Sequence, residues 1–341
     1  MTLKDIGEFG FIRRIRDGCL VRPEGVVLGI GDDAAAFRAD ASRVSLLTTD
    51  LLVERVHFLR NAQTGRELGW KAMAVNLSDI AAMGGVGREA FVSIAVPGSC
   101  GLAYLEDLFQ GMQEAARRYA VNILGGDTTG SPADLAINVA VYGEVPEREM
   151  LTRAAARPGD AIFATGFLGD SRAGLHLITG DIPLDSPELA RLRAAHVRPE
   201  PHLREGRLLA SAGGARAAID VSDGLSSDLA HIVEESRVGA RLFAERLPVS
   251  DALRHYCARF GRSPLEYALR GGEDYVLLVT VAAERADALS GRFAAEFGRP
   301  LHRIGTITEA GGMEIVDADG AARPLAPGGW DHFRGDAHGT R

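Results

Sequence analysis

Six times in the chain a hydrophobic run ends at a small-residue turn that carries a carboxylate. The instances are VVLGIGDDAA with Asp32 and Asp33, SLLTTD with Asp50, AVNLSDIAAMGG with Asp79, NILGGDTTG with Asp127, AAIDVSDGL with Asp220 and Asp223, and RGGEDYVLL with Glu273 and Asp274. Apolar stretches of this length belong in a core, where an unpartnered carboxylate is costly. Acids gathered at such edges need a shared partner, and a cluster of divalent cations is the simplest one. Lysine usage sharpens the point, because Lys4 and Lys71 are the only lysines. There is no G-x-x-x-x-G-K-[ST] loop and no H-R-D or D-F-G pair. Any phosphate chemistry here would draw much of its neutralising charge from metal ions.

With 341 residues the chain is long for a single core, so two domains are expected. A hydrophobic share of 46% beside 25% charged residues fits a soluble globular protein rather than a disordered one. The net charge of −8 argues against non-specific nucleic-acid binding. It leaves anionic substrates open, since bound cations reverse the local sign. Cys19, Cys100 and Cys257 are far apart with no C-x-x-C pair, which argues against a disulfide framework or zinc site and fits a reducing cytoplasm. The stretch MTLKDIGEFGFIRRIRDG lacks the apolar core of a signal peptide. No segment approaches the length of a membrane span.

The hydrophobic pattern predicts a short helix within residues 1–24 and strands over Val26–Ile30 and Val44–Thr48. Glu67–Met83 reads as a helix apolar on nearly every face, hence buried, with Asn76 and Asp79 pointing to one place. A strand over Phe91–Val96, an amphipathic helix over Tyr104–Ala120 and a short strand over Val121–Leu124 follow. In Leu135–Tyr142 large residues alternate with smaller or polar ones, giving a strand with two unlike faces. The irregular, Arg-rich stretch 146–158 suggests a boundary between a unit at 1–150 and one at 151–341. The second unit reads as strand Asp160–Thr165, a glycine-rich turn, helix Ser171–Leu177, a helix after Arg198–Pro201, strand Ala217–Val221 with a helix through Val233, and strand Tyr275–Val281. Alternating strands and helices predict an α/β or α+β fold in two units.

Each acidic turn has a plain reading beside the functional one. Gly29-Ile30-Gly31-Asp32-Asp33 lacks the third glycine of a dinucleotide loop, and its acids would repel a pyrophosphate, which leaves a polar turn or a metal site. Thr48-Thr49-Asp50 offers hard oxygen ligands or a helix cap. Asp79, on an apolar helix, is best explained by a partner in a site. Gly125-Gly126-Asp127-Thr128-Thr129 either lets backbone N–H groups approach phosphate or is a turn. Ser222 could cap the next helix, which would not explain Asp220, and Gly271-Gly272-Glu273-Asp274 could be a tight turn. Scattered histidines without H-E-x-x-H disfavour zinc, and His57 in isolation reads as a packing or capping residue.

Taken in order, GIGDDAA, TTDLLVE-x-VHF, KAMAVNLSDIAAMG, GGDTT, LTRAAARPGD, DVSDGL, GGEDY and WDHF resemble the motifs of the thiamine-monophosphate kinase family. That family belongs to the superfamily of aminoimidazole-ribonucleotide synthetase, and the resemblance runs from Glu8-Phe9 to Asp331-His332-Phe333. It implies an N-terminal ATP- and Mg²⁺-binding domain that forms a shared β-barrel in a homodimer, through strands including Phe91–Val96 and Leu135–Tyr142 whose large-residue faces need covering. A C-terminal α/β domain would complete the site. The implied reaction moves the γ-phosphate of ATP to thiamine monophosphate by direct in-line transfer, with several Mg²⁺ ions and no nucleic-acid or membrane partner. Asp33, Thr48, Thr49, Asp50, Asp79, Asp127, Asp220 and Asp223 would be metal ligands, with Asp33, Asp50, Asp79, Asp127 and Asp220 those on which transfer depends. Tyr119, Gly126, Asp127, Arg153 and Ser222 would contact ATP, and His57, Glu273 and Trp330 the thiamine phosphate. Arg55 stands where a glycine is usual, and Val276 where an acid is usual. Other ATP-dependent enzymes of the superfamily are disfavoured, since Cys19 lacks the following Lys of selenophosphate synthetases and the chain ends without the Cys of the hydrogenase-maturation relative. A catalytically silent metal–nucleotide-binding regulator is disfavoured by the complete acid set.

Overall fold

The computed structural model describes residues 26–28, 32–38, 42–309 and 311–330. The helix expected within 1–24, the residues 29–31 of the first acidic turn, and the tail 331–333 lie outside the described residues. Strands β1 (Val26–Leu28), β2 (Ala35–Arg38) and β3 (Arg43–Val53) are followed by helix α1 (Gly65–Ala82), β4 (Val86–Pro97), α2 (Leu102–Tyr119), β5 (Asn122–Ser131) and β6 (Ala136–Pro146). These strands form a six-stranded sheet in the order β1-β2-β3-β6-β4-β5. Only β4 and β5 pair in parallel, and α2 supplies the crossover that a parallel pair requires.

The second unit comprises β7 (Ala161–Ala164), α3 (Asp170–Thr179), α4 (Pro187–Val197), α5 (Leu203–Ala212), β8 (Ala215–Asp220), α6 (Leu225–Ser236) and β9 (Gly239–Phe243). It continues through α7 (Asp251–Phe260), α8 (Pro264–Arg270), β10 (Leu277–Val281), α9 (Ala286–Phe297), β11 (His302–Thr308), β12 (Gly312–Val316) and β13 (Ala322–Pro324). Its seven-stranded sheet has the order β13-β12-β9-β11-β7-β10-β8 and is antiparallel except at β12–β9. The protein is therefore a two-unit α/β fold with two mixed sheets. One apolar core joins the units, running from Leu46, Met73 and Ile80 to Phe163, Leu277 and Phe293.

Helix α1 is the spine of the molecule. Thr64 and Glu67 form a reciprocal cap, with the Glu67 N–H donating to Thr64 Oγ1 at 3.1 Å and the Thr64 N–H to Glu67 Oε2 at 2.9 Å. Fifteen of its residues are buried, as the all-round apolar pattern predicts. It lies so close to α2 that side chains are excluded at the crossing: a Cβ on Gly69 would sit 1.9 Å from the Leu108 carbonyl oxygen, and one on Gly111 would sit 2.0 Å from that of Arg66. Helices in such contact cannot slide past one another without breaking the fit.

Two expectations need correction. Gly125–Thr129 is not a turn after a short strand but part of β5, and Asp50 lies within β3 rather than at its end. Glycine and polar residues are tolerated on the edge strand β5, whereas Asp50 lies on the inward side of β3 with Thr48 and Leu52, where its charge bears on Asp79. The large-residue faces of β4 and β6 are also covered within the chain itself, since Val92, Ile94, Ile137, Val139 and Val141 are all buried in the core. The bare face is the opposite one. Register aligns Thr49, Ala140 and Phe91 across it, with Leu47 and Leu51 in the flanking rows. Leu47, Phe91 and Leu51 are 44%, 46% and 56% exposed on it.

Candidate active site

The site forms where α1 meets both sheets. Asp33 comes from the turn before β2, Asp79 from the last turns of α1, and Asp220 from the end of β8. One carboxylate oxygen from each lies within 4.8 Å of the other two. Thr48, pointing inward from β3, donates its hydroxyl to Asp79 Oδ2, and Ser78 Oγ donates to Asp220 Oδ2 at 2.6 Å. Arg153 grips Asp33 with both sides of its guanidinium, Nη2 to Oδ1 at 2.6 Å and Nε to Oδ2 at 3.3 Å. Its backbone N–H also donates to Asp32 Oδ2 at 3.2 Å.

Crowding like charges out of water makes ionisation costly. Burial, followed by the negative charges of Asp50, Asp220 and Asp33, raises the Asp79 carboxyl well above its usual range. Burial and then Asp33 push Asp220 up to about 8, although the Ser78 hydroxyl opposes the shift. Asp32 is pushed up to about 7 by burial and then by Asp33. Three carboxylates, one on a buried residue and two on half-buried ones, with oxygens within 4.8 Å of one another, fit a divalent cation such as Mg²⁺. A bound cation would remove the repulsion that raises these values.

Other proposed ligands stand apart from this triad. Thr49 alternates to the exposed face of β3, where its hydroxyl accepts from Asn138 Nδ2 at 2.7 Å. Asp127 is exposed on β5 opposite Ser93, and its carboxylate accepts the N–H of Thr128 at 2.9 Å. Asp223 and Ser222 occupy the loop between β8 and α6, and Asp223 accepts the Trp330 N–H on its carbonyl at 3.1 Å. Gly126 has φ of +153°, and a Cβ there would lie 1.6 Å from the Val92 carbonyl oxygen, so only glycine fits. Tyr119 OH donates to Glu200 Oε2 at 2.6 Å. Trp330 is 36% exposed at the end of the described chain.

A second cluster forms around Glu273. Gly272, Glu273 and Tyr275 all have positive φ, and the Glu273 and Tyr275 N–H groups donate to the carbonyls of Ser222 at 2.6 Å and Val221 at 2.9 Å. This knot turns the Glu273 carboxylate inward, where Lys71 Nζ lies 2.6 Å from Oε1 and His196 Nδ1 3.3 Å from Oε2. Asp274 serves a different purpose. Its carboxylate accepts the N–H groups of Gly169 at 2.7 Å and Ser171 at 3.2 Å, occupying the start of α3. Burial still pushes it up to about 8. His57 Nδ1 accepts the Val53 N–H at 3.0 Å. Arg55, two residues before it, has φ of +68°, the region where glycine is favoured, and its guanidinium pairs with Asp134 at 2.6 Å.

The sequence reading missed Asp228. Its buried carboxyl accepts the Gly224 N–H at 3.0 Å and is raised well above its usual range by burial, then by Asp223 and Asp220. In sequence it looks like an ordinary acid in the first turn of a helix. Lys71 was noted for its rarity, but nothing in its position revealed that it would be fully buried against Glu273.

The two units coincide with two families of conserved domains. Residues 31–145 match the AIR synthase related protein, N-terminal domain, and residues 157–318 match the AIR synthase related protein, C-terminal domain. The thiamine-monophosphate kinase of Aquifex aeolicus (strain VF5) is 36% identical over 333 residues, covering 98% of this chain and all of that protein. That of Escherichia coli (strain K12) is 37% identical over 329 residues, covering 96% of this chain and 98% of the relative. A solved structure described as AaThiL complexed with AMPPCP and TMP superposes with a TM-score of 0.86 at 36% identity, covering 98% of this chain and 99% of that one. With its acid triad, its two mixed sheets and full-length identity above 30% to these enzymes, the chain belongs to the thiamine-monophosphate kinase family.

Proposed function

We propose that the protein transfers the γ-phosphate of ATP directly to the phosphate of thiamine monophosphate, giving thiamine diphosphate and ADP. The observation that carries this reading is the convergence of Asp33, Asp79 and Asp220, drawn from three distant segments, in a chain that matches these kinases along its whole length. The triad, with Thr48 and Asp50 beside it, Asp223 from the loop after β8, and Thr49 and Asp127 from β3 and β5, would hold Mg²⁺. When bound, that ion would neutralise charge between the two phosphate groups being brought together.

The protein's own groups do the remaining work. Arg153, already placed on Asp33, would turn its guanidinium to the ATP phosphates, with Tyr119, Gly126, Asp127 and Ser222 completing the nucleotide side. His57, Glu273 and Trp330 would place the acceptor. A phosphate monoester has a second pKa of about 6, so near neutrality the attacking oxygen already carries charge. The bond from that oxygen to Pγ forms as the bond to the β–γ bridging oxygen of ATP breaks, and ADP departs with the electron pair. No side chain has to remove a proton, and positioning supplies the rate.

The working unit in this reading is a homodimer in which residues 1–150 form a shared barrel across the bare sheet face, and residues 151–341 close the site. Exposed Leu47, Leu51 and Phe91 support it. Among the described residues no helix is long and apolar enough to cross a membrane, and Cys100 and Cys257 are free thiols, which accords with a cytoplasmic setting.

Three outcomes test these points. Purified protein given ATP and thiamine monophosphate should form thiamine diphosphate only with Mg²⁺, and Asp79→Asn should fold yet lose at least about 100-fold in kcat. Near-normal turnover by that variant at ordinary Mg²⁺ would overturn the cluster assignment. Asp220 holds in the folded state a proton that the unfolded chain releases near pH 4, so in a chelator it lowers stability progressively as pH rises from about 4 to about 8. At about pH 8, Mg²⁺ at about 100 times its Kd should then add about 2.7 kcal/mol to the wild type and far less to Asp220→Asn, as read by urea unfolding. Light scattering at micromolar concentration should show a dimer that Leu51→Glu dissociates, and a monomeric wild type would contradict the shared barrel.

A further inference from the structure

Lys71 is one of two lysines in the chain and its side chain is completely buried. A cation in that position is retained only if it has a partner worth the loss of water. Its ammonium lies 2.6 Å from Glu273 Oε1, while the other carboxylate oxygen lies 3.3 Å from His196 Nδ1. Burial works against the charge of Glu273, and Lys71 leads the opposing influences that together hold the carboxyl below its usual range. His196 contributes as a neutral ring, since burial and then Lys71 push it down to about 3. Glu273 is thus a fixed anion inside the protein, gripped from one side by an element of the N-terminal unit.

That element is α1. Lys71 and Ser78 lie seven residues apart, two helical turns, and so project on the same side. Each makes a link to the C-terminal unit, Lys71 to Glu273 and Ser78 to Asp220 at 2.6 Å. Asp79 of the acid triad follows directly. Because α1 is locked against α2 at Gly65, Gly69 and Gly111, one rigid helix fixes the Glu273 carboxylate relative to the triad. The loop that carries Glu273 could not do so alone, as its backbone is held at φ of +55°.

We infer that Lys71 is a positioning residue for the acceptor: it orients Glu273 so that the carboxylate receives the hydrogen-bond donors of the thiamine moiety, and it never touches the acceptor itself. This rests on the assignment of Glu273 to the acceptor side. The consequence is specific. Losing Lys71 weakens acceptor binding, leaves ATP binding alone, and has no effect once Glu273 has lost its charge.

The test is steady-state kinetics, varying ATP and thiamine monophosphate separately, on Lys71→Met, Glu273→Gln and the double variant. Each single change should raise KM for thiamine monophosphate by at least about tenfold, with kcat and KM for ATP within about threefold of wild type. The double variant should match Glu273→Gln rather than multiply the two defects, because Lys71 acts only through that carboxylate. The double variant buries no unpaired charge, so it preserves the comparison if Lys71→Met alone fails to fold. Multiplied defects in the double variant, or a Lys71→Met defect in kcat or in ATP binding, would overturn the inference while leaving Glu273 on the acceptor side. An unchanged acceptor KM in Glu273→Gln would overturn that placement, and the role of Lys71 with it.

Discussion

Repulsion between buried carboxylates is the constraint around which this protein is built. Asp33, Asp79 and Asp220 meet in one place, and among the described residues the cation that reaches them is Arg153, which pairs with Asp33 and Asp32. Left alone, such a group would splay apart or keep its protons. The fold prevents the first with a helix buried on all sides and two sheets that share its core. The second outcome is the state toward which burial pushes Asp79 and Asp220, and a divalent cation bound there would reverse it. In the proposed reaction, the repulsion between the acids is what a bound cation, and with it a polyphosphate, would relieve.

Everything near the triad serves to keep oxygen atoms in place. Thr48 and Ser78 each spend a hydroxyl on one of the acids, and both lie on elements that cannot move independently. Lys71 does for Glu273 what a cation would do for the triad, with the difference that it belongs to the chain and is sealed from water. The neighbouring Asp274 is satisfied by backbone N–H groups at the start of α3. Adjacent acids in sequence therefore face unlike environments, one paired with a side chain and one with a helix terminus.

Much of this was legible in the sequence. The buried helix, the need of Asp79 for a partner and the division into two units followed from hydrophobic pattern and the cost of burying charge. The grouping of Asp33, Asp79 and Asp220 followed only from the ordered motifs, since nothing local says that residues 33, 79 and 220 converge. Pattern failed where it measures polarity rather than pairing. Glycines and threonines on the exposed edge strand β5 looked like a turn, and the faces of β4 and β6 judged in need of a partner were those already covered within the chain. Lys71 was invisible as a site residue because it depends on Glu273, far away in the chain, and Asp228 because an acid in the first turn of a helix gives no sign that its carboxyl will be buried. The glycine expected at Arg55 is explained by φ of +68°, a backbone requirement that side-chain chemistry does not reveal.

The account makes the acceptor its own nucleophile, charged before it arrives, and leaves the protein with placement and charge. This separates it from any scheme in which a side chain such as His57 removes a proton, as a kinase acting on an alcohol would need. The most direct measurement is the pH dependence of kcat/KM for thiamine monophosphate at saturating Mg²⁺ and ATP, in wild type and in His57→Asn. The account predicts an acid limb near pH 6 in both proteins, set by the acceptor's second ionisation, with the variant lower at every pH. An acid limb that disappears in His57→Asn would show that the enzyme supplies the base, and would contradict it.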